Sequence, residues 1–154
     1  MLLFLAAACG HRATTQSAPS RPDTCKASDG PTDDTVRAAL ASVPTTVPGT
    51  TWVEIARGHT RNCRLFWVQI IPTIASESTP QQLVFFDHNV PLGTPTVNPK
   101  PYITVLAPSD DTVTVQYRWR VGSDQPCCPT GIRKVGFQIG PDGKLRALGK
   151  IPNQ

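Results

Sequence analysis

The chain has 154 residues, a hydrophobic share of 39%, a charged share of 17% and a formal net charge of +4. That length makes one domain the expectation, and 16 prolines argue against long helices, coiled coils and helical bundles. No stretch approaches the roughly 20 apolar residues that cross a bilayer as a helix, so an internal membrane helix is excluded.

The first segment, residues 1–9, is Met1-Leu2-Leu3-Phe4-Leu5-Ala6-Ala7-Ala8-Cys9, an apolar run that narrows to small side chains and stops at a cysteine followed by Gly10. This is how a lipoprotein signal ends. Small residues let the backbone lie extended in a peptidase cleft, and the Cys9 thiol is then the acceptor of a diacylglycerol. No Lys or Arg precedes Arg12, so the basic start of a secretory signal is missing, and the segment is expected to be the end of a truncated one. Residues 10–24 are mostly Ser, Thr, Ala, Pro and Arg, without aromatic residues or apolar periodicity, a composition that cannot order itself by burial. As a flexible chain they would reach on the order of 20 Å, enough to hold a domain of residues 25–154 just off a membrane.

With Cys9 lipidated, four cysteines remain: Cys25, Cys63, Cys127 and Cys128. They allow three pairings. A bond between neighbours is disfavoured by geometry and ranks last. Cys25 with Cys63 ranks first and Cys25 with Cys128 is the alternative. Closing the 38-residue interval between Cys25 and Cys63 is worth about 3–4 kcal/mol by chain entropy. A zinc site has little support, because there is no C-x-x-C and the histidines of the domain that could complete one are His59 and His88.

Next comes one helix. Thr32 caps it, Asp33 and Asp34 sit in its first turn, Val36, Ala39, Leu40 and Val43 share a face, and Pro44 ends it. Strands come after it. Residues 52–56 form the first, and 65–71 and 82–87 are apolar on both faces, as strands covered on two sides are. Asp87-His88-Asn89 turns the chain back toward residues 90–93. Pro95, Pro99 and Pro101 keep the connection extended until 102–106. Residues 112–120 alternate strictly, with Val113, Val115, Tyr117 and Trp119 on one side. Residues 132–139, a turn at Asp142-Gly143 and residues 144–148 complete a meander. The expected fold is α+β: one short N-terminal helix packed on a twisted antiparallel sheet of six to seven strands.

Ordered landmarks along this domain carry a family resemblance. Cys63-Arg64-Leu65-Phe66-Trp67-Val68, Gln81-Gln82-Leu83-Val84-Phe85-Phe86, Leu92-Gly93-Thr94, 111–119, Cys128-Pro129-Thr130-Gly131 and Ile151-Pro152-Asn153-Gln154 together resemble the LppP/LprE lipoproteins of mycobacteria and related actinobacteria. The resemblance covers residues 25–154. It implies an envelope lipoprotein without an established enzymatic activity, so no catalytic residue carries over. It also implies recurrent cysteines ahead of the helix and ahead of the first central strand, which supports pairing Cys25 with Cys63.

Catalytic signatures are missing from the sequence: there is no G-x-S-x-G and no H-E-x-x-H. Asp87-His88 reads as a polar turn before it reads as an acid–base pair. Asp110-Asp111 reads as a loop entering a strand, without the further acids of a calcium loop. Cys127-Cys128 could form a reducible bond. The charge pattern is more informative: from Arg118 to Lys150 seven basic residues face Asp124 and Asp142. Strand alternation projects Arg118, Arg120 and Lys134 away from the core aromatics, a geometry suited to anionic lipid or acidic envelope polymer, against the ordinary alternative of a solvated face. Nucleic acid is disfavoured, since stacking aromatics would have to share that face.

The expectation is a lipid-anchored extracytoplasmic module on the cell membrane that binds without catalysing, with no metal and no cofactor. The alternative is a carrier or sensor of an apolar ligand held between helix and sheet. A cavity of several hundred Å³ among Trp67, Phe86, Tyr117 and Trp119 would mark the carrier.

Overall fold

The structure, a computed structural model, describes residues 21–153. Residues 1–20, with the signal segment, Cys9 and most of the 10–24 tether, lie outside the described residues, as does Gln154. Helix α1 spans Asp33–Ser42. Its cap is the one expected: the Thr32 hydroxyl accepts from the Thr35 amide at 3.2 Å. Ten residues are too few to persist alone, and Val36 and Ala39 are buried in a cluster with Phe66, Val68 and Phe86.

Eight strands complete the domain: β1 (Trp52–His59), β2 (Leu65–Pro72), β3 (Gln82–Asp87), β4 (Val90–Gly93), β5 (Ile103–Val105), β6 (Val113–Trp119), β7 (Gly131–Ile139) and β8 (Leu145–Ala147). They form two four-stranded antiparallel sheets, β1-β2-β3-β4 and β5-β6-β7-β8, and not one sheet of six or seven strands. The physical reason lies in β2 and β3, nearly every residue of which is buried. One face of that sheet packs on α1 through Phe66, Val68, Ile70, Val84 and Phe86. The other packs Leu65, Leu83 and Phe85 against Val113, Val115, Tyr117, Val135 and Phe137 of the second sheet. A helix can cover only one side, so the proline-rich stretch after β4 carries the chain across to build the second covering. The result is three layers, helix, sheet and sheet, with the strict alternation of β6 reporting one buried and one open face.

Polar ties hold the layers in register. The Gln69 side-chain amide donates to the Ile103 carbonyl at 3.3 Å across the sheets. The Arg61 and Asn62 amides donate to the Ser109 and Asp110 carbonyls, each at 2.9 Å, joining the β1–β2 turn to the β5–β6 connection. On the helix side the Trp52 indole donates to the Val43 carbonyl at 3.1 Å, and the Thr32 amide donates to the Asn89 side chain at 2.9 Å.

Cys25 is bonded to Cys63, with Cα atoms 5.4 Å apart, so the alternative pairing with Cys128 does not occur. Cys127 and Cys128 are bonded to each other, contrary to the low rank geometry assigns that pair. Once Cys63 has taken Cys25, the adjacent pair has no other cysteine partner among the described residues.

Candidate functional site

The β1–β2 end of the domain carries alternating basic residues, Arg57, His59 and Arg61, on a strand that runs into a tight turn. Beside it lies a cleft of about 760 Å³, between the chain at Arg21–Thr24, β1 and the β5–β6 connection. That volume is within the usual range of ligand clefts. Trp67 and Val113 line it from the two sheets. Gly58 stands directly opposite Trp67 in the ladder. A Cβ at this position would lie 2.6 Å from the indole, so only glycine lets the ring settle across the neighbouring strand.

The cleft wall is built from charge pairs. Asp23 accepts from the Cys25 amide at 2.9 Å and contacts His59 Nε2 at 3.1 Å. The Cys25 amide, chiefly, and His59 hold the Asp23 carboxyl below its ordinary range. The other ring nitrogen of His59, Nδ1, lies 3.0 Å from the Thr60 carbonyl, so both ends of the imidazole are engaged. Arg57 forks onto Glu54 and reaches Asp33 at 3.4 Å. Arg21 pairs loosely with Asp110 at 3.8 Å, with both side chains mostly exposed.

Asp23, Cys25 and His59 place one donor atom each within 4.8 Å of one another. Cys25 Sγ is consumed in the disulfide and has no thiolate to offer. The trio therefore works as a hydrogen-bonded fastening of the N-terminal chain to β1. The segment read as tether up to Thr24 already touches the domain at Arg21 and Asp23.

The other sequence-singled residues sit elsewhere. Asp87 is gripped by Arg64 through Nε at 3.2 Å and Nη2 at 3.0 Å and is touched by His88 Nδ1 at 2.9 Å. The Arg64 hydrogen bond, above all, lowers the Asp87 pKa, and the group ties the residue ahead of β2 to the β3–β4 turn, where His88 has φ 53°. Asp111 accepts from the Thr112 hydroxyl at 2.8 Å at the entry to β6. Among the candidate basic residues, Gln116 pairs with Lys134 and Arg118 with Ile132 across β6 and β7. Arg118 and Lys134 are thus diagonal neighbours on the outer face, both exposed, beside Ile132 at 50% exposure. Arg120 lies past the end of β6 and donates through Nε to the Asp124 carbonyl at 2.9 Å, which ties it to the loop.

Of the aromatic set, Phe86 and Tyr117 are buried, while Trp67 and Trp119 are half-buried and each stands opposite a glycine. Between α1 and the first sheet, Val36 and Ala39 pack with Phe66, Val68, Val84 and Phe86. A hollow of about 240 Å³ opens at the C-terminal end of the helix, lined by Ala39 and Val43 on one side and by Gln82, Val84 and Pro91 on the other. The cleft itself escapes sequence reasoning, because residues from three distant segments make it. Its one local signal is the basic alternation at residues 57–61.

These features define a class: a disulfide-fastened α+β domain of one helix on stacked antiparallel sheets, with a cleft beside Arg21–Thr24 and an open sheet face that carries Arg118 and Lys134. Among the described residues no helix is long and apolar enough to cross a membrane. The chain belongs to the LppP/LprE lipoprotein family, whose pattern matches residues 57–142. It is 75% identical over 136 residues to proteins named "Putative lipoprotein LppP" in Mycobacterium bovis and in two strains of Mycobacterium tuberculosis. Those matches cover 88% of this chain and 78% of each relative. No solved structure matches it.

Proposed function

We propose that the protein is anchored through acylated Cys9 to the outer face of the cell membrane and that its domain acts by binding envelope components, without chemistry of its own. The observation that carries the reading is membership of a lipoprotein family in a chain whose ninth residue is a cysteine preceded by Ala6-Ala7-Ala8. Two disulfides in so small a domain suit an oxidising compartment. One acyl chain binds a membrane only marginally, so firm anchoring calls for two or more on Cys9.

The binding surface favoured is the outer face of β6 and β7, where exposed Arg118 and Lys134 flank the apolar Ile132. Cations beside an exposed aliphatic side chain match the chemistry of anionic lipid head groups or an acidic polymer. What favours a reading without chemistry is the engagement of both nitrogens of His59, which lines the cleft, by Asp23 and the Thr60 carbonyl. A carrier of an apolar ligand between helix and sheet is less favoured, because the hollow there, about 240 Å³, is smaller than the usual ligand pocket.

The test has two arms. In a mycobacterial host, Cys9→Ala should move the protein from the membrane fraction to the soluble or secreted one; unchanged fractionation rejects the anchor. For the face, flotation with vesicles containing anionic lipid should weaken when Arg118 and Lys134 become Ser, and an unchanged distribution rejects that surface.

A further inference from the structure

The two disulfides differ in every physical respect that decides what a disulfide is for. Cys25–Cys63 closes a 38-residue interval and joins the N-terminal chain to the β1–β2 turn, with both cysteines half-buried. The loop-length contribution to its effect on the unfolded chain is large. Cys127–Cys128 closes no loop, so that contribution vanishes, and both cysteines are exposed.

Nor does the adjacent pair hold its own loop in shape. Between β6 and β7 one Asp124 oxygen accepts from the Val121 amide at 2.8 Å, the Thr130 amide at 2.8 Å and the Thr130 hydroxyl at 2.7 Å. These bonds clamp the two ends of the loop together. The Cys128 amide donates to the Gln125 carbonyl at 3.0 Å, and the Tyr102 hydroxyl donates to the Pro126 carbonyl. The loop is therefore braced without sulfur.

From exposure, adjacency and this independent bracing, we infer that Cys127–Cys128 is a thiol–disulfide exchange site, open to small thiols and to dithiol proteins, while Cys25–Cys63 is the structural bond. A thiolate of the incoming thiol attacks one Sγ. The Cys127–Cys128 bond breaks, a mixed disulfide forms, and the other cysteine leaves as a thiolate that takes up a proton. A second thiol then attacks the sulfur of the small thiol in the mixed disulfide and releases the second cysteine. In sum two thiols become one disulfide, and the cysteine pair gains two electrons and two protons. Until the second attack, the freed cysteine stays beside the mixed disulfide and can expel the small thiol again. Exposed disulfides of this kind are the labile ones.

The experiment treats the full chain with graded reduced glutathione or dithiothreitol, traps thiols with an alkylating reagent and assigns them by peptide mass spectrometry. Cys127 and Cys128 should become labelled at about tenfold lower reductant than Cys25 and Cys63, with an unchanged near-ultraviolet circular dichroism spectrum. Opening of both pairs together, earlier opening of Cys25–Cys63, or free Cys127 and Cys128 in unreduced exported protein overturns the assignment. A second variant reads access directly. Cys128→Ser, exposed to oxidised glutathione, should carry one glutathione on Cys127, and a persistently unmodified Cys127 overturns it equally.

Discussion

Two consecutive residues of β3 can test the three-layer architecture, because Phe85 and Phe86 are both 0% exposed yet belong to different cores. Phe85 faces the second sheet and stacks at a tilt on Phe137, with ring centroids 5.4 Å apart. Phe86 faces α1 in the cluster that contains Val36, Ala39 and Phe66. Truncating a buried Phe to Ala removes its transfer free energy and leaves a cavity, together about 3–5 kcal/mol. A domain of this size has total stability of about 5–15 kcal/mol, so each variant should remain folded, or nearly so, with a much lower urea midpoint. The two variants should differ in character. Phe86→Ala loosens the seat of a helix too short to stand alone, so its helical circular dichroism signal should fade ahead of the global transition. Phe85→Ala should lower the midpoint with helix and sheets melting together. Equilibrium urea unfolding, followed by far-ultraviolet circular dichroism and tryptophan fluorescence, measures both. A cost below about 1 kcal/mol for either variant would refute burial of that face and, with it, the layer it supports.

Tyr117 is buried with no hydrogen-bond partner for its hydroxyl among the described residues, and burial pushes its pKa upward. An unsatisfied buried hydroxyl costs about 1–3 kcal/mol, so Tyr117→Phe should raise the thermal midpoint by several degrees, and a lower midpoint would count against an orphan hydroxyl. Acid should act through Asp124, whose carboxyl is held below its ordinary value of 3.8 by the Val121 amide first and the Thr130 hydroxyl and amide next. Asp23 and Asp87 are shifted in the same direction. For such depressed groups the stabilisation is complete above the ordinary carboxylate value and is lost as pH falls through the lower folded value. The thermal midpoint should hold between about pH 7 and pH 5 and fall below about pH 4, and Asp124→Asn should flatten part of that fall. An identical acid profile for Asp124→Asn and the parent would remove Asp124 from the account.

Much of the local structure was legible in residue order. The Thr32 cap, the His88-Asn89 turn, the Asp142-Gly143 turn and the alternation of β6 are decided by chemistry within a few residues, and each lies where its signal points. The apolar character of β2 and β3 on both faces also announced two coverings. It could not say whether the second cover was helix or sheet. The cleft was less legible, since Arg21, Trp67 and Asp110 meet only after three segments have converged.

Sequence alone therefore determined the short-range features of this protein: a capped helix, strands with one or two apolar faces, a cysteine-terminated apolar start and a basic C-terminal third. Only the tertiary structure decided how the strands divide between two sheets, that adjacent cysteines bond to each other, and that Arg118 and Lys134 share an open face while Arg120 is tied to the loop. The difference is one of range. Caps and turns are set by hydrogen bonds between near neighbours in the chain. Layer order and pairing depend on which distant apolar faces exclude water together, and that is a property of the whole assembled chain.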